Sequence, residues 1–175
     1  EIHERAPTHL RRGEFVWPTR YWLPPYQAER NAHPSFVQAI QLAKLSGFYP
    51  IITTASLQHA EFLQSLGATH VLDRNTAVSM SLPSVTDKPI DTILDTIGVT
   101  STQTEGLDVL AAGGRMSILN PIAPGLAERG EAEGKKLIHV FGVKQFPPNY
   151  ECLKGLYQRL TPFLEEGNIK VRLRG

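Results

Sequence analysis

Residues 49–73 hold the run that decides the fold: Tyr49-Pro50-Ile51-Ile52-Thr53-Thr54, then Ser56, then Ala60, Leu63 and Leu66 closed by Gly67, then Thr69-His70-Val71-Leu72. The first segment is rich in β-branched residues. Its Ile-Ile pair does not alternate with polar residues, which fits a strand buried on both faces, as in a parallel sheet. Ala60, Leu63 and Leu66 recur at helical spacing, with Ser56 placed to cap the helix and Gly67 to end it. A strand, a helix and a strand in this order make a βαβ unit with parallel strands.

The same grammar continues on both sides. Upstream, Ser35-Phe36-Val37-Gln38-Ala39-Ile40-Gln41-Leu42-Ala43-Lys44-Leu45 carries apolar residues at 36, 39, 40 and 43, so a helix capped by Ser35 and ended by Gly47 is expected. Downstream, residues 73–90 read as a loop, and Asp91-Thr92-Ile93-Leu94-Asp95-Thr96-Ile97 as a strand ending at Gly98. Thr100 or Ser101 then caps a helix running to Ala112, with Leu107 and Leu110 inward. Gly113-Gly114 turns into the strand Arg115-Met116-Ser117-Ile118-Leu119. A Gly-rich loop over 121–134 leads to a strand at 136–141, and a last helix spans 149–166. The fold class is α/β, a doubly wound parallel sheet of Rossmann-like type. Such sheets bind ligands at the carboxyl ends of their strands.

Residues 1–34 read differently. They hold five prolines, both tryptophans and three of the six histidines, without helical or strand periodicity. Phe15-Val16-Trp17 has strand character, but Pro18 stops it. The expectation is an irregular segment, foreign to the domain and read as an artefact, with Trp17, Tyr21 and Trp22 packing on the domain behind it. The expected sheet therefore lacks its first strand, and the domain occupies 35–175 in truncated form.

Several stretches, in order, carry a resemblance. Ala39-Ile40-Gln41-Leu42-Ala43-Lys44 with Gly47, Leu63-Gln64-Ser65-Leu66-Gly67-Ala68-Thr69-His70-Val71-Leu72-Asp73, and Asp91-Thr92-Ile93-Leu94-Asp95-Thr96-Ile97-Gly98 are three of them. Ala111-Ala112-Gly113-Gly114-Arg115 and Leu164-Glu165-Glu166-Gly167-Asn168-Ile169 complete the set. Together they resemble the C-terminal nucleotide-binding domain of the medium-chain dehydrogenase/reductase family. The wording of residues 51–57 is closest to fungal enoyl reductases of the toxin-biosynthesis type, which lack zinc.

The resemblance implies an NAD(P)H-dependent oxidoreductase that transfers hydride to a polarised C=C bond. The cofactor supplies the hydride and the protein positions it. The second strand of such folds meets the adenosine ribose, where a carboxylate favours NAD. Here the position is Thr54-Ala55-Ser56, with no carboxylate. Ser56 at a helix N-terminus can receive a 2′-phosphate through its hydroxyl and the backbone N–H groups. Gln58 and His59 lie in that first turn, and Arg74 follows the third strand, where similar reductases place a cofactor contact. NADPH is therefore preferred over NADH. The competing reading makes Ser56 a helix cap and Arg74 a solvated cation.

By the same resemblance, Ile97-Gly98 and Leu119-Asn120 line the nicotinamide ribose and carboxamide. A tight turn and a plain loop start are the competing readings of these two pairs. Phe141-Gly142 approaches the substrate side. Asp95 is read as a mid-strand residue that packs or bonds to nearby backbone, and Asp91 as a strand-start residue. No catalytic residue is identified.

One departure from the family stands out. Asn31-Ala32-His33-Pro34-Ser35-Phe36-Val37 occupies the place of the Gly-rich pyrophosphate turn, and no glycine occurs between Gly13 and Gly47. Pro34 lacks an N–H, and Phe36 adds bulk where small residues belong. Reduced dinucleotide affinity follows. The family's substrate domain of about 150 residues is also missing, so the chain alone is expected to be inactive. The alternative function is a degenerate, non-catalytic Rossmann fragment with weak or no nucleotide binding, and a third is adenine-nucleotide binding without catalysis.

Composition narrows the partners. Net charge is +1, and the basic runs at 9–12 and 170–174 contain no interleaved aromatics, so no nucleic acid or membrane partner is expected. A single cysteine, Cys152, rules out a disulfide framework and is read as a buried thiol. The six histidines are scattered, so no metal and no zinc are expected. No run approaches 18 apolar residues, and a cytoplasmic location follows. The substrate is a small molecule of unread identity, and family resemblance implies a homodimer through the edge strand at 136–141.

Overall fold

A computed structural model describes residues 15–17, 34–141 and 147–170. The backbone forms one six-stranded sheet in which every pairing is parallel. In chain order the elements are β1 (Phe15–Trp17), α1 (Pro34–Leu45), β2 (Ile51–Ala55), α2 (Ala60–Leu66), β3 (His70–Asp73) and α3 (Val78–Ser81). There follow β4 (Ile90–Asp95), α4 (Thr100–Val109), β5 (Leu110–Ile118), α5 (Leu126–Ala132), β6 (Lys136–His139) and α6 (Pro147–Glu165). Strand order is β3-β2-β1-β4-β5-β6. The winding reverses between β1 and β4, which is where doubly wound sheets open their ligand crevice.

Strand β2 is buried at all five positions, as the unalternating Ile-Ile run predicts. Ile51 and Ala55 pack under α1 and α2 with Val37, Ile40, Leu63 and Leu66. Ile52 faces the other way, into a cluster with Ile93, Met116, Ile118 and Val78. Leu107 of α4 and Leu126 of α5 extend that second side. Both faces of β2 are therefore covered, whereas β5 alternates the buried Met116 and Ile118 with the exposed Arg115 and half-buried Ser117.

The first strand is present, against the sequence expectation. Phe15–Trp17 lies between β2 and β4, pairing Phe15 with Ile51 and with Thr92. Three residues suffice because the strand has neighbours on both sides to satisfy its backbone groups. A run this short carries no periodicity, so its strand character alone could not place it in the sheet. The strand ends at Trp17, and Pro18 is next in the sequence. Residues 18–33, including Tyr21, Trp22 and the altered pyrophosphate turn up to His33, lie outside the described residues. Pro34 is the first residue of α1. An N–H there has no intrahelical partner, so proline costs the helix nothing while removing one donor from its N-terminus.

Two segments read as loops contain helices. In α3, the Val78 N–H donates to the Glu105 carboxylate of α4 at 2.6 Å, and Val78 is buried beneath it. In α5, Leu126 and Gly130 turn inward while Arg129 pairs with Glu133 and reaches Asp108 of α4, both at 2.7 Å. Both helices are short and owe their stability to contacts with α4, which local propensity does not register. Strand β5 begins earlier than expected, at Leu110, with a register irregularity opposite Ile90 and Thr92. Cys152 is exposed, not buried. On α6 the less exposed face is Leu153, Leu156, Leu160 and Phe163, and Cys152 lies one residue off that stripe.

Candidate functional site

The carboxyl ends of β4 and β5 meet in one structured corner. Asp95 closes β4 and is fully buried. One carboxylate oxygen accepts the N–H groups of Ile97 at 2.9 Å and Gly98 at 2.8 Å. The other accepts the Thr102 hydroxyl at 2.7 Å. Burial pushes the carboxyl's pKa up, while the Gly98 N–H, the Thr102 hydroxyl and the Ile97 N–H pull it back. Asp95 thus bonds to nearby backbone as expected, but from the strand end, where it folds the turn that follows.

That turn requires Gly98. Its φ is +65°, and a Cβ built there would stand 2.5 Å from Asn120 Cβ. Asn120 in turn donates its side-chain amide to the Ile97 carbonyl at 2.6 Å. The two residue pairs singled out from the sequence, Ile97-Gly98 and Leu119-Asn120, are therefore brought together. The backbone joins them again, since the Leu119 N–H donates to the Asp95 carbonyl at 3.0 Å.

Gln103 on α4 was not anticipated. It is 1% exposed, and its amide nitrogen donates to the carbonyls of Gly98 and Pro121, both at 2.9 Å. Its amide oxygen accepts the Ala123 N–H at 2.8 Å. The available signal was a polar residue four positions before Leu107, on the inward face of an amphipathic helix.

A second group lies at the carboxyl ends of β2 and β3. Ser56 follows β2 in the N-cap position of a short 3₁₀ turn, Leu57–His59, which leads into α2. Its side chain makes no capping hydrogen bond, which corrects the expectation that it caps through its hydroxyl. The tight 3₁₀ turn satisfies the His59 N–H by the Ser56 carbonyl instead, at 3.0 Å. Gln58 is exposed, with its amide nitrogen 3.2 Å from His59 Nε2. The Arg74 N–H donates to the Ala55 carbonyl at 3.1 Å, so Arg74 and Ser56 flank one strand end. No carboxylate belongs to Thr54-Ala55-Ser56.

Phe141 is 54% exposed, and its ring lies 4.1 Å from that of His139, which ends β6. Gly142 lies outside the described residues. Among the described residues, no group of three or more His, Cys, Asp or Glu side chains is placed to hold a metal ion. No helix among them is long and apolar enough to cross a membrane.

Strand order, winding and the bonded β4–β5 corner define a Rossmann-like α/β domain. The family model described as zinc-binding dehydrogenase matches residues 37–128, more than half of the 175-residue chain. The chain belongs to that family, the medium-chain dehydrogenases and reductases, and covers its C-terminal nucleotide-binding part. A protein from Rhizobium etli assigned as a zinc-dependent alcohol dehydrogenase is similar over 97% of this chain and 48% of its own, with 17% identity and a TM-score of 0.76. The nucleotide-binding subdomain of the enoylreductase domain of PpsC from Mycobacterium tuberculosis is similar over 91% of this chain and 87% of its own, with 22% identity and a TM-score of 0.60. A protein from Mesorhizobium loti assigned as an NADPH:quinone reductase is similar over 93% and 46%, with 18% identity and a TM-score of 0.67. At these identities the likeness speaks for the fold. The chain spans 33% to 48% of the first three structures it matches. No curated protein matches the chain.

Proposed function

We propose that this chain is the cofactor-binding half of an NADPH-dependent oxidoreductase that reduces a polarised C=C bond by hydride transfer. The observation that carries the reading is the bonded pairing of Ile97-Gly98 with Leu119-Asn120 at the carboxyl edge, beside the point where the winding reverses. Gly98 makes room there for Asn120, so the two strand ends close on one another and form a single edge. At the other end, Ser56 and Arg74 flank the end of β2, where Thr54-Ala55-Ser56 brings no carboxylate and Asp73 of β3 stands opposite Ala55; the hydroxyl and the cation there suit a 2′-phosphate. The relatives include an enoylreductase subdomain and a protein assigned as an NADPH:quinone reductase, which fits reduction of an activated double bond.

In this reading the bound cofactor supplies hydride. The chain's own residues hold the nicotinamide at β4 and β5 and the adenosine phosphate at β2 and β3. In this reading the chain holds no zinc. The partner is a small molecule, with neither nucleic acid nor membrane involved. A second copy pairs along β6, the edge of the sheet.

Titrating NADPH and NADH against the purified chain, followed by nicotinamide fluorescence, tests the reading. Saturable binding with NADPH the tighter ligand is expected. No saturable signal with either at millimolar concentration sinks it, and favours a second reading, a Rossmann-like domain without cofactor. That reading draws on the missing glycine between Gly13 and Gly47 and on Pro34 at the start of α1.

A further inference from the structure

We propose that Gln103 is a positioning residue that locks the β4 and β5 strand ends together and thereby places the nicotinamide half of the cofactor. The second half of this statement rests on the cofactor reading above. The first rests on geometry alone.

A primary amide has two N–H donors and one carbonyl acceptor. Gln103 uses both donors and its acceptor. Its two N–H groups reach the carbonyls of Gly98 and Pro121, and its oxygen takes the Ala123 N–H. The three partners belong to two segments, one after β4 and one after β5. All of α4 and β5 separates these segments along the chain, and Gln103 ties them beyond the last backbone bond between the strand ends, Leu119 N–H to the Asp95 carbonyl. The amide also has one orientation only. Reversed, it would set its oxygen against two carbonyl oxygens and an N–H against the Ala123 N–H.

A core position beside Leu107 needs no polar group for packing. Burying an amide there is tolerable only because every bond is made. Its consequence is local: it fixes Gly98 relative to residues 121–123, and Asn120 bonds back to Ile97 from the same segment. Ser56 and Arg74 stand at β2 and β3, on the other side of β1 in the strand order. Gln103 therefore governs one end of a dinucleotide and leaves the other untouched.

The test uses the full chain with two variants, Gln103→Met and Gln103→Glu. The second keeps the volume but sets a carboxylate oxygen against the Gly98 and Pro121 carbonyls. Two measurements are made on each. Amide hydrogen exchange at Ala123 is followed without ligand. Affinities for NADPH and for adenosine 2′,5′-bisphosphate, which carries only the adenosine end, are then compared. Exchange at Ala123 is expected to accelerate about tenfold or more, and NADPH to weaken by about tenfold, a factor matching loss of one or two buried hydrogen bonds. Adenosine 2′,5′-bisphosphate is expected to bind as in the wild type. Unchanged protection at Ala123 in both variants overturns the coupling. Equal weakening of the two ligands overturns the positioning role and leaves a structural one. A wild-type chain that binds neither ligand removes the cofactor reading, and protection at Ala123 then decides the coupling by itself.

Discussion

The Asn120 side-chain amide donates to the Ile97 carbonyl across the gap between two strand ends, at 2.6 Å, and Gly98 is the residue that leaves room for it. A Gly98→Ala change places a methyl 2.5 Å from Asn120 Cβ and 3.1 Å from its backbone nitrogen. Neither atom is the free end of a flexible side chain, so the segment itself must move. The substitution also imposes a left-handed backbone on alanine, at about 1–2 kcal/mol, and loosens a hydrogen bond worth about 1 kcal/mol. Gly113→Ala is the control, with φ at +79° and nothing within 4 Å of its Cβ. Denaturant midpoints should fall for both, and further for Gly98→Ala. Equal shifts would mean that the Asn120 contact carries no weight.

Asp95 offers a pH test. Burial raises its pKa, and the hydrogen bonds of the Gly98 N–H, the Thr102 hydroxyl and the Ile97 N–H offset that only in part. The folded state therefore takes up the proton at a higher pH than the unfolded chain. This contribution to stability is fully present below the ordinary carboxylate value and is lost as pH rises through the raised folded value. Asp95→Asn removes the titration. It keeps an oxygen for Ile97 and Gly98, and its amide can donate to Thr102, whose hydroxyl then turns to the Val99 carbonyl 3.0 Å away. The Asp95→Asn change should thus cost under about 1.5 kcal/mol, whereas Asp95→Ala, which strands the Ile97 and Gly98 N–H groups, should cost about 2–4 kcal/mol. Across that pH window, the wild type should lose stability relative to Asp95→Asn as pH rises. An identical pH profile in the two proteins would count against the raised pKa.

The doubly wound sheet was legible wherever periodicity was long enough to read. Tyr49 to Leu72 showed it, because an unalternating Ile-Ile run and an i, i+3 helix leave few other folds open. Phe15–Trp17 did not, because its pairing with β2 and β4 is a tertiary fact. The short helices α3 and α5 escaped for the same reason, since Glu105 and Asp108 of α4 hold them from a distance in sequence. Ile97, Gly98, Leu119 and Asn120 were singled out through family wording, which marks strand ends, and the fold brings them together. Gln103 and Thr102 were not, because a polar residue on a helix face shows its purpose only when its partners are seen.

Gln41 makes a comparable bond at the other side of the fold. Its amide oxygen accepts the Lys170 N–H at 2.6 Å, and its nitrogen donates to the Lys170 carbonyl at 3.3 Å and the Val37 carbonyl at 3.2 Å. Ile169, 5% exposed, sits beside this clamp. Lys170 is exposed, so water can replace the lost partner for its backbone, and Gln41→Leu should cost only about 1 kcal/mol. Ile169→Ala leaves a cavity that water cannot fill usefully and should cost about 2–4 kcal/mol. Urea midpoints at constant m-value separate the two. A Gln41→Leu loss as large as that of Ile169→Ala would show that the polar clamp, and not the buried isoleucine, secures the segment.

On the proposed function, cofactor choice turns on the end of β2. Arg74 and Ser56 flank it, and Thr54-Ala55-Ser56 contributes no negative charge. Arg74→Ala should weaken NADPH by about tenfold, the loss of one charge-assisted contact, while NADH changes little. Ser56→Asp should act in the opposite sense, because a carboxylate there repels the 2′-phosphate and accepts hydrogen bonds from the ribose hydroxyls. It should therefore lower NADPH affinity and raise that for NADH, reversing the preference in a fluorescence titration. The two variants together distinguish a charge effect from local unfolding. Unfolding at β2 would weaken both cofactors in both variants, and equal losses for NADPH and NADH on Arg74→Ala would remove Arg74 from the phosphate site.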